Sequence, residues 1–401
     1  MKVTKNQKFD FETLVDRKNI GNLKNMVCSE AVRAAGLLSY NGAEADYRTA
    51  PSVIRAMTER VQNGLFGFTL ADDAYLDPIV WWMETQRGVK IEKEWIVPTL
   101  GMIFSVATAI RLTTEPGEGI IVQPPVYHRY EQAADRLGRR TVYNRLTEKD
   151  GVYSMDFEDL EHCMADEHNR LFVLCNPQNP TGNVWDEDTL LRVVELSNKY
   201  GVYVISDEIF GEVTFRHRCP MYAVLPGAAK YGISETSLGK TFNFTGENLA
   251  NLIIPDGELR ERFIAQRNAD HFGSIDPVLH AAVQGAYCPE GAAWKDAQLE
   301  HINGNAEYIQ AFFREHLPQV RISPFEGSFV LWIDWRALGL DEPELMRFLK
   351  GEALFELDEG THYDSERGSG FTRMNISCPR RELEKSLALL LEAAKKRGWA
   401  R

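Results

Sequence analysis

Leu171-Phe172-Val173-Leu174-Cys175 runs directly into Asn176-Pro177-Gln178-Asn179-Pro180-Thr181-Gly182. A short continuous apolar run of this kind suits a strand buried on both faces. The two Asn-Pro pairs then impose extended and turn conformations, because proline fixes its own φ and disfavours helix in the residue before it. Asp186 follows as an N-cap, ahead of Leu190, Leu191, Val194 and Leu196 at helical spacing. Strand, rigid turn and helix together would present the Asn179 amide from a strand end.

The same texture extends in both directions. Ile120-Ile121-Val122 precedes Gln123-Pro124-Pro125, Val202-Tyr203-Val204-Ile205 precedes Ser206-Asp207, and Leu249 to Ile254 precedes Pro255-Asp256-Gly257. A helix from Met102 to Leu112 is closed by Glu115-Pro116-Gly117. Alternating strands and helices predict an α/β fold with a doubly wound, mostly parallel sheet, sandwiched by helices. Ligands of such sheets gather at the carboxyl ends of the strands. After Cys288-Pro289-Glu290-Gly291 the pattern changes to a long helix, about Ala292 to His316, the run Gly327 to Trp335, and a last helix over roughly Arg380 to Lys396. This predicts a large domain over 46–288 and a smaller α+β domain over 289–401. The segment 1–45 is expected to pack on the smaller one.

The 401 residues are 44% hydrophobic and 26% charged, ordinary for a globular chain with a sizeable core. A net charge of −13 argues against nucleic acid and acidic membrane surfaces as partners. No apolar run is long enough to span a bilayer. Met1-Lys2-Val3-Thr4-Lys5-Asn6-Gln7-Lys8 has no apolar centre, so no secretory leader is expected. Six cysteines, at 28, 163, 175, 219, 288 and 378, lack CxxC spacing. They predict neither a metal site nor a disulfide framework, and point to the cytoplasm.

Three motifs fall at predicted strand ends and carry chemistry. Lys240 stands in Thr236-Ser237-Leu238-Gly239-Lys240-Thr241-Phe242-Asn243-Phe244, Asp207 in Ser206-Asp207-Glu208-Ile209, and Asn179 in the Asn-Pro turn. A lysine, an aspartate and an asparagine so placed form the set that holds pyridoxal 5′-phosphate (PLP). The lysine amine joins the aldehyde as a Schiff base, and desolvation eases its deprotonation. A carboxylate beside the ring nitrogen keeps the ring protonated. The asparagine amide can donate to the phenolic oxygen. Taken singly, Lys240 also reads as a surface lysine and Asp207 as a cap or turn residue. Leu100-Gly101-Met102 opens a helix whose free N–H groups suit a phosphate, and Ser237 can add a hydroxyl. Tyr127 can lie flat on the ring. Arg373, in Phe371-Thr372-Arg373-Met374-Asn375, needs an anion, either a substrate α-carboxylate or a structural ion-pair partner.

On these residues the chain resembles PLP-dependent enzymes of fold type I, in the class I/II aminotransferase superfamily. Within it the chain looks most like the MalY/PatB-type C–S lyases, relatives of cystathionine β-lyase. The resemblance runs nearly the full length. It is carried by Asn176 to Gly182, Ala45-Asp46-Tyr47-Arg48-Thr49-Ala50-Pro51, Gly64-Leu65-Phe66-Gly67-Phe68, Ser206 to Ile209, and Phe371 to Pro379 with Arg380-Arg381-Glu382-Leu383-Glu384-Lys385. It implies catalytic roles for Lys240, Asp207 and Tyr127, and a cofactor site of Gly101, Met102, Tyr127, Asn179, Asp207, Ser237 and Lys240. It further implies that Arg373 and Asn179, with the backbone of Gly42 and Ala43, hold an amino-acid substrate. A homodimer with shared active sites is implied as well.

Departures from the family pattern are Phe68 and Phe210 at positions of hydrogen-bond donors, Gly239 for a common serine, and Asn248 for a phosphate-binding arginine. They predict weaker cofactor retention, or compensation by Thr99, Thr236 or Asn248. The expected reaction is α,β-elimination from a cysteine S-conjugate, giving thiol, pyruvate and ammonia. Amino transfer is the alternative, followed by decarboxylation or oxidative deamination. A regulatory protein on the same fold is the non-enzymatic reading.

Overall fold

The computed structural model describes residues 9–246 and 248–400; the Met1–Lys8 stretch read above lies outside the described residues. A seven-stranded sheet is built from β1 (Ile96–Thr99), β2 (Gly119–Val122), β3 (Arg140–Tyr143), β4 (Asn169–Cys175), β5 (Tyr203–Asp207), β6 (Gly232–Thr236) and β7 (Ala250–Ile253). Its order is β1-β7-β6-β5-β4-β2-β3. The pairs from β6 through β3 are parallel, and β7 runs antiparallel to both of its neighbours.

β4 shows why the strands read as apolar runs. Phe172 and Leu174 join the core under helix α3 (Glu187–Tyr200), while Leu171, Val173 and Cys175 join the opposite core under α1 (Met102–Thr113) and α2 (Arg129–Arg136). Both faces are covered, so every position from Leu171 to Cys175 is apolar. Each fully buried side chain of this size contributes about 1.5–3 kcal/mol. The predicted N-cap of α3 holds: Asp186 accepts from Thr189 N at 2.8 Å. Gly201, at φ +69°, closes the helix in the left-handed region that glycine adopts without strain.

A second, four-stranded antiparallel sheet consists of β8 (Arg321–Ile322), β9 (Val330–Asp334), β10 (Asp358–Glu359) and β11 (Phe371–Asn375), in the order β8-β9-β11-β10. Two helices flank it, the long one at Pro289–His316 and the last at Arg380–Lys396. Ile309, Phe313, Leu331, Ile333, Met374, Leu383 and Leu387 share its core. The segment around residue 40 is tied to this sheet. Tyr40 O accepts from Asn375 N at 3.0 Å, and Tyr40 OH donates to Glu382 O at 3.0 Å. That anchoring carries Gly42 and Ala43 across to the carboxyl ends of the first sheet.

Candidate active site

Lys240 sits on a single-turn helix, Leu238–Thr241, after β6. Ser237 caps that turn, accepting from Gly239 N at 2.9 Å and donating to Leu249 O at 3.0 Å. Lys240 Nζ donates to Ala43 O at 2.9 Å and lies 5.6 Å from the centre of the Phe210 ring. Phe210 is buried against Phe329. Where the family pattern has a donor, this chain therefore has an apolar wall beside the amine. Burial first, and then the Arg373 charge, push the lysine down to about 8; Asp207 and Glu44 oppose the shift.

Asp207 closes β5 and is buried. Its Oδ2 accepts from Tyr130 OH and its Oδ1 from Ile209 N at 3.1 Å. Burial raises its carboxyl above the usual range, while Tyr130, the Ile209 N–H and the Lys240 charge pull it back. Asn179 is buried and accepts from Arg373 Nη1 at 3.0 Å through Oδ1, so Nδ2 is the end left for a ligand. Both Asn–Pro bonds of the motif are cis, as is Pro124–Pro125. Tyr127 is partly buried, with its ring 5.8 Å from that of Tyr130, and burial raises its hydroxyl.

Gly101 has φ +96°, a conformation that favours glycine, and from it α1 starts at Met102. The first-turn N–H groups of α1 have no partners within the helix and form a ready anion cup. A cavity of about 530 Å³ opens beside it, lined by Thr99, Leu100, Asn248, Leu249 and the Phe66-Gly67-Phe68 stretch. Thr99 Oγ1 is engaged by Ser105 Oγ at 2.7 Å, and Asn248 is exposed. Phe68 is 96% exposed, and Leu65, Phe66 and Leu70 are exposed beside it.

These residues fit a pyridine-aldehyde phosphate. They supply an amine with a depressed pKa, a buried carboxylate close enough to feel its charge, an amide with one free end and an anion cup. Arg373 differs from a free carboxylate receptor. Its Nε and Nη2 donate to Asp358 Oδ2, and Gly42 N donates to the same oxygen at 3.0 Å. The ion-pair reading of Arg373 is thus realised within the chain.

Three contributors carry no signal in the sequence. Tyr130 lies 77 positions from the aspartate it bonds. Asn243 holds the strap that carries Ala43, accepting from Ala45 N at 3.0 Å and donating to Tyr47 O at 2.9 Å. Glu235 is fully buried beside Asp207, its register partner across β5–β6, and neither of its carboxyl oxygens has a hydrogen-bond partner.

The family model for aminotransferase class I and II matches residues 38–390. Cystathionine beta-lyase PatB from Bacillus subtilis is 33% identical over 347 residues, 86% of this chain and 89% of its own length. Protein MalY from Escherichia coli is 30% identical over 388 residues, 96% of this chain and 98% of its own. The crystal structure of cystalysin from Treponema denticola, which contains a pyridoxal 5′-phosphate cofactor, superimposes with a TM-score of 0.90 at 28% identity, covering 97% of this chain and all of that one.

Proposed function

The chain belongs to the aminotransferase class I and II family, and we propose that it acts as a C–S β-lyase on a cysteine S-conjugate, releasing thiol, pyruvate and ammonia. It is a PLP-dependent enzyme. The observation that carries the lyase reading is the near full-length likeness to relatives named cystathionine beta-lyase, joined to a site whose amine is poised to move a proton.

When bound, PLP supplies the electron sink for negative charge at the substrate α-carbon. The α1 N-terminus would hold its phosphate, joined by Ser237 once its hydroxyl turns from Leu249 O, with Asp207 at its protonated ring nitrogen, Asn179 Nδ2 at its phenolic oxygen and Tyr127 on its ring face. Lys240 would carry the aldehyde until substrate arrives. Arg373, with the backbone of Gly42 and Ala43, receives the substrate carboxylate and fixes the α-C–H toward Lys240. Lys240 Nζ takes the α-proton; a lysine lowered to about 8 reaches its neutral form near neutral pH far more readily than an ordinary one. The buried Phe210 ring stands as an apolar wall 5.6 Å from the amine. Loss of the α-proton is followed by cleavage of the β-C–S bond, with the electron pair leaving on sulfur. The three-carbon remainder hydrolyses to pyruvate and ammonia.

The same residues serve amino transfer up to the proton step, so product identity separates the two readings. Cystathionine and S-alkyl cysteines are incubated with the purified holoprotein and with Lys240→Ala. Equimolar thiol, pyruvate and ammonia from the first, and none from the second, support the lyase. Amino transfer to a keto acid without thiol release refutes it. The exposed Leu65–Leu70 stretch beside the anion cup supports a homodimer in which each subunit completes its neighbour's site. All six cysteines are free, which supports a reducing, cytoplasmic setting. Among the described residues, no helix is long and apolar enough to cross a membrane.

A further inference from the structure

Asp358 and Arg373 face one another in register across β10 and β11. A single oxygen, Asp358 Oδ2, accepts from Arg373 Nε at 3.1 Å, from Arg373 Nη2, from Gly42 N at 3.0 Å and from Tyr363 OH at 3.3 Å. Two of these donor groups, the Arg373 guanidinium and the Gly42 N–H, are the ones the substrate carboxylate requires. The chain thus brings its own carboxylate to its own carboxylate receptor. Arg373 is only 4% exposed, so an empty site without Asp358 would leave a buried guanidinium short of an anion. The Asp358 side chain is 17% exposed, more than the arginine it pairs with.

We propose that Asp358 is a built-in competitor for the substrate α-carboxylate, which sets the site against ligands that offer a carboxylate but no α-amine. A second carboxylate arriving at Arg373 must take hydrogen bonds from Asp358 and bear its like charge. An amino acid recovers that cost, because its amine is also held at the cofactor. A keto acid or simple carboxylate has no such second hold. The proposal rests on the carboxylate-receptor reading of Arg373. It deepens the lyase assignment, because weak keto-acid binding speeds release of pyruvate and disfavours amino transfer.

The test is equilibrium binding of propionate and pyruvate to the holoprotein by calorimetry, for the natural chain and for Asp358→Asn. Removing one charged hydrogen-bonding competitor is expected to tighten both ligands by about tenfold or more. The KM for a cysteine S-conjugate is expected to fall by a smaller factor. Unchanged or weaker propionate binding in Asp358→Asn overturns the proposal and makes Asp358 a residue that positions Arg373. Asp358→Ser serves as the second variant, and retained cofactor absorbance shows that each variant is folded. Propionate binding needs no turnover. Tighter binding without any thiol-releasing activity would therefore sustain the competitor and sink the lyase, and the reverse result would do the opposite.

Discussion

Replacing Tyr130 with phenylalanine removes one hydroxyl from behind the cofactor site and keeps the ring that fills the space. That hydroxyl donates to Asp207 Oδ2, and the Ile209 N–H, at 3.1 Å, is the other donor holding the carboxylate. Asp207 is buried, and burial already drives its carboxyl upward. A hydrogen bond to a charged group is worth about 1.5–3 kcal/mol. Its loss removes a contact that pulls the carboxyl back down and should raise Asp207 further. A carboxyl that protonates more easily is a poorer partner for a protonated ring nitrogen. Tyr130→Phe is therefore expected to weaken PLP binding by about ten- to a hundredfold and to lower kcat with it. The acid limb of the kcat profile should move to higher pH. Cofactor titration followed by absorbance gives the first quantity, and steady-state rates across pH give the others. A variant with unchanged cofactor affinity and an unmoved acid limb would refute the claim that Tyr130 holds Asp207 ionised.

Two further outcomes follow from buried charge and a third from a missing donor. Glu235 has no hydrogen-bond partner on either oxygen, and burial, then Asp207, raise its carboxyl well above the ordinary range. The folded state therefore binds a proton that the unfolded chain has lost, and stability falls as pH rises above the ordinary carboxyl range. Glu235→Leu should abolish that slope and stabilise the protein by about 1–3 kcal/mol near neutral pH, read from urea unfolding at several pH values. Lys240 is lowered to about 8, so in the apoprotein the unfolded chain holds the extra proton between about 8 and the ordinary lysine range, and stability rises with pH across that window. Lys240→Met should stabilise the apoprotein by roughly 1–3 kcal/mol near neutral pH and remove the rise, checked by the same unfolding series. Phe210→Tyr returns a donor to the wall beside Lys240; an absorbance titration of the bound cofactor should then show its transition at lower pH than in the natural chain.

Much of the fold is legible in the sequence because its strands are local objects. β4 and β5 are apolar runs ended by turn chemistry, and α3 carries its own aspartate cap and closing glycine. The direction of β7 is not in its composition. Leu249 to Ile254 reads like any buried strand, yet it returns antiparallel because the connection from β6 holds, among its described residues, a single-turn helix, too little for a crossover. In the candidate site, Lys240, Asp207 and Asn179 announce themselves by standing just past or at the end of such runs. Tyr130 does not, since its hydroxyl finds Asp207 only through the packing of α2 on the sheet. Asp358 was one of several acids near Arg373 in the chain, with Glu359, Asp364 and Glu366. Only the register of β10 on β11 selects it.

The proposed chemistry requires the Lys240 amine, and no other, to capture the cofactor aldehyde. Borohydride reduction of the PLP-loaded protein, followed by proteolysis and mass mapping, tests it directly. The reduced cofactor mass is expected on the peptide containing Lys240 and nowhere else. The same mass on a different lysine, or on none, would contradict it.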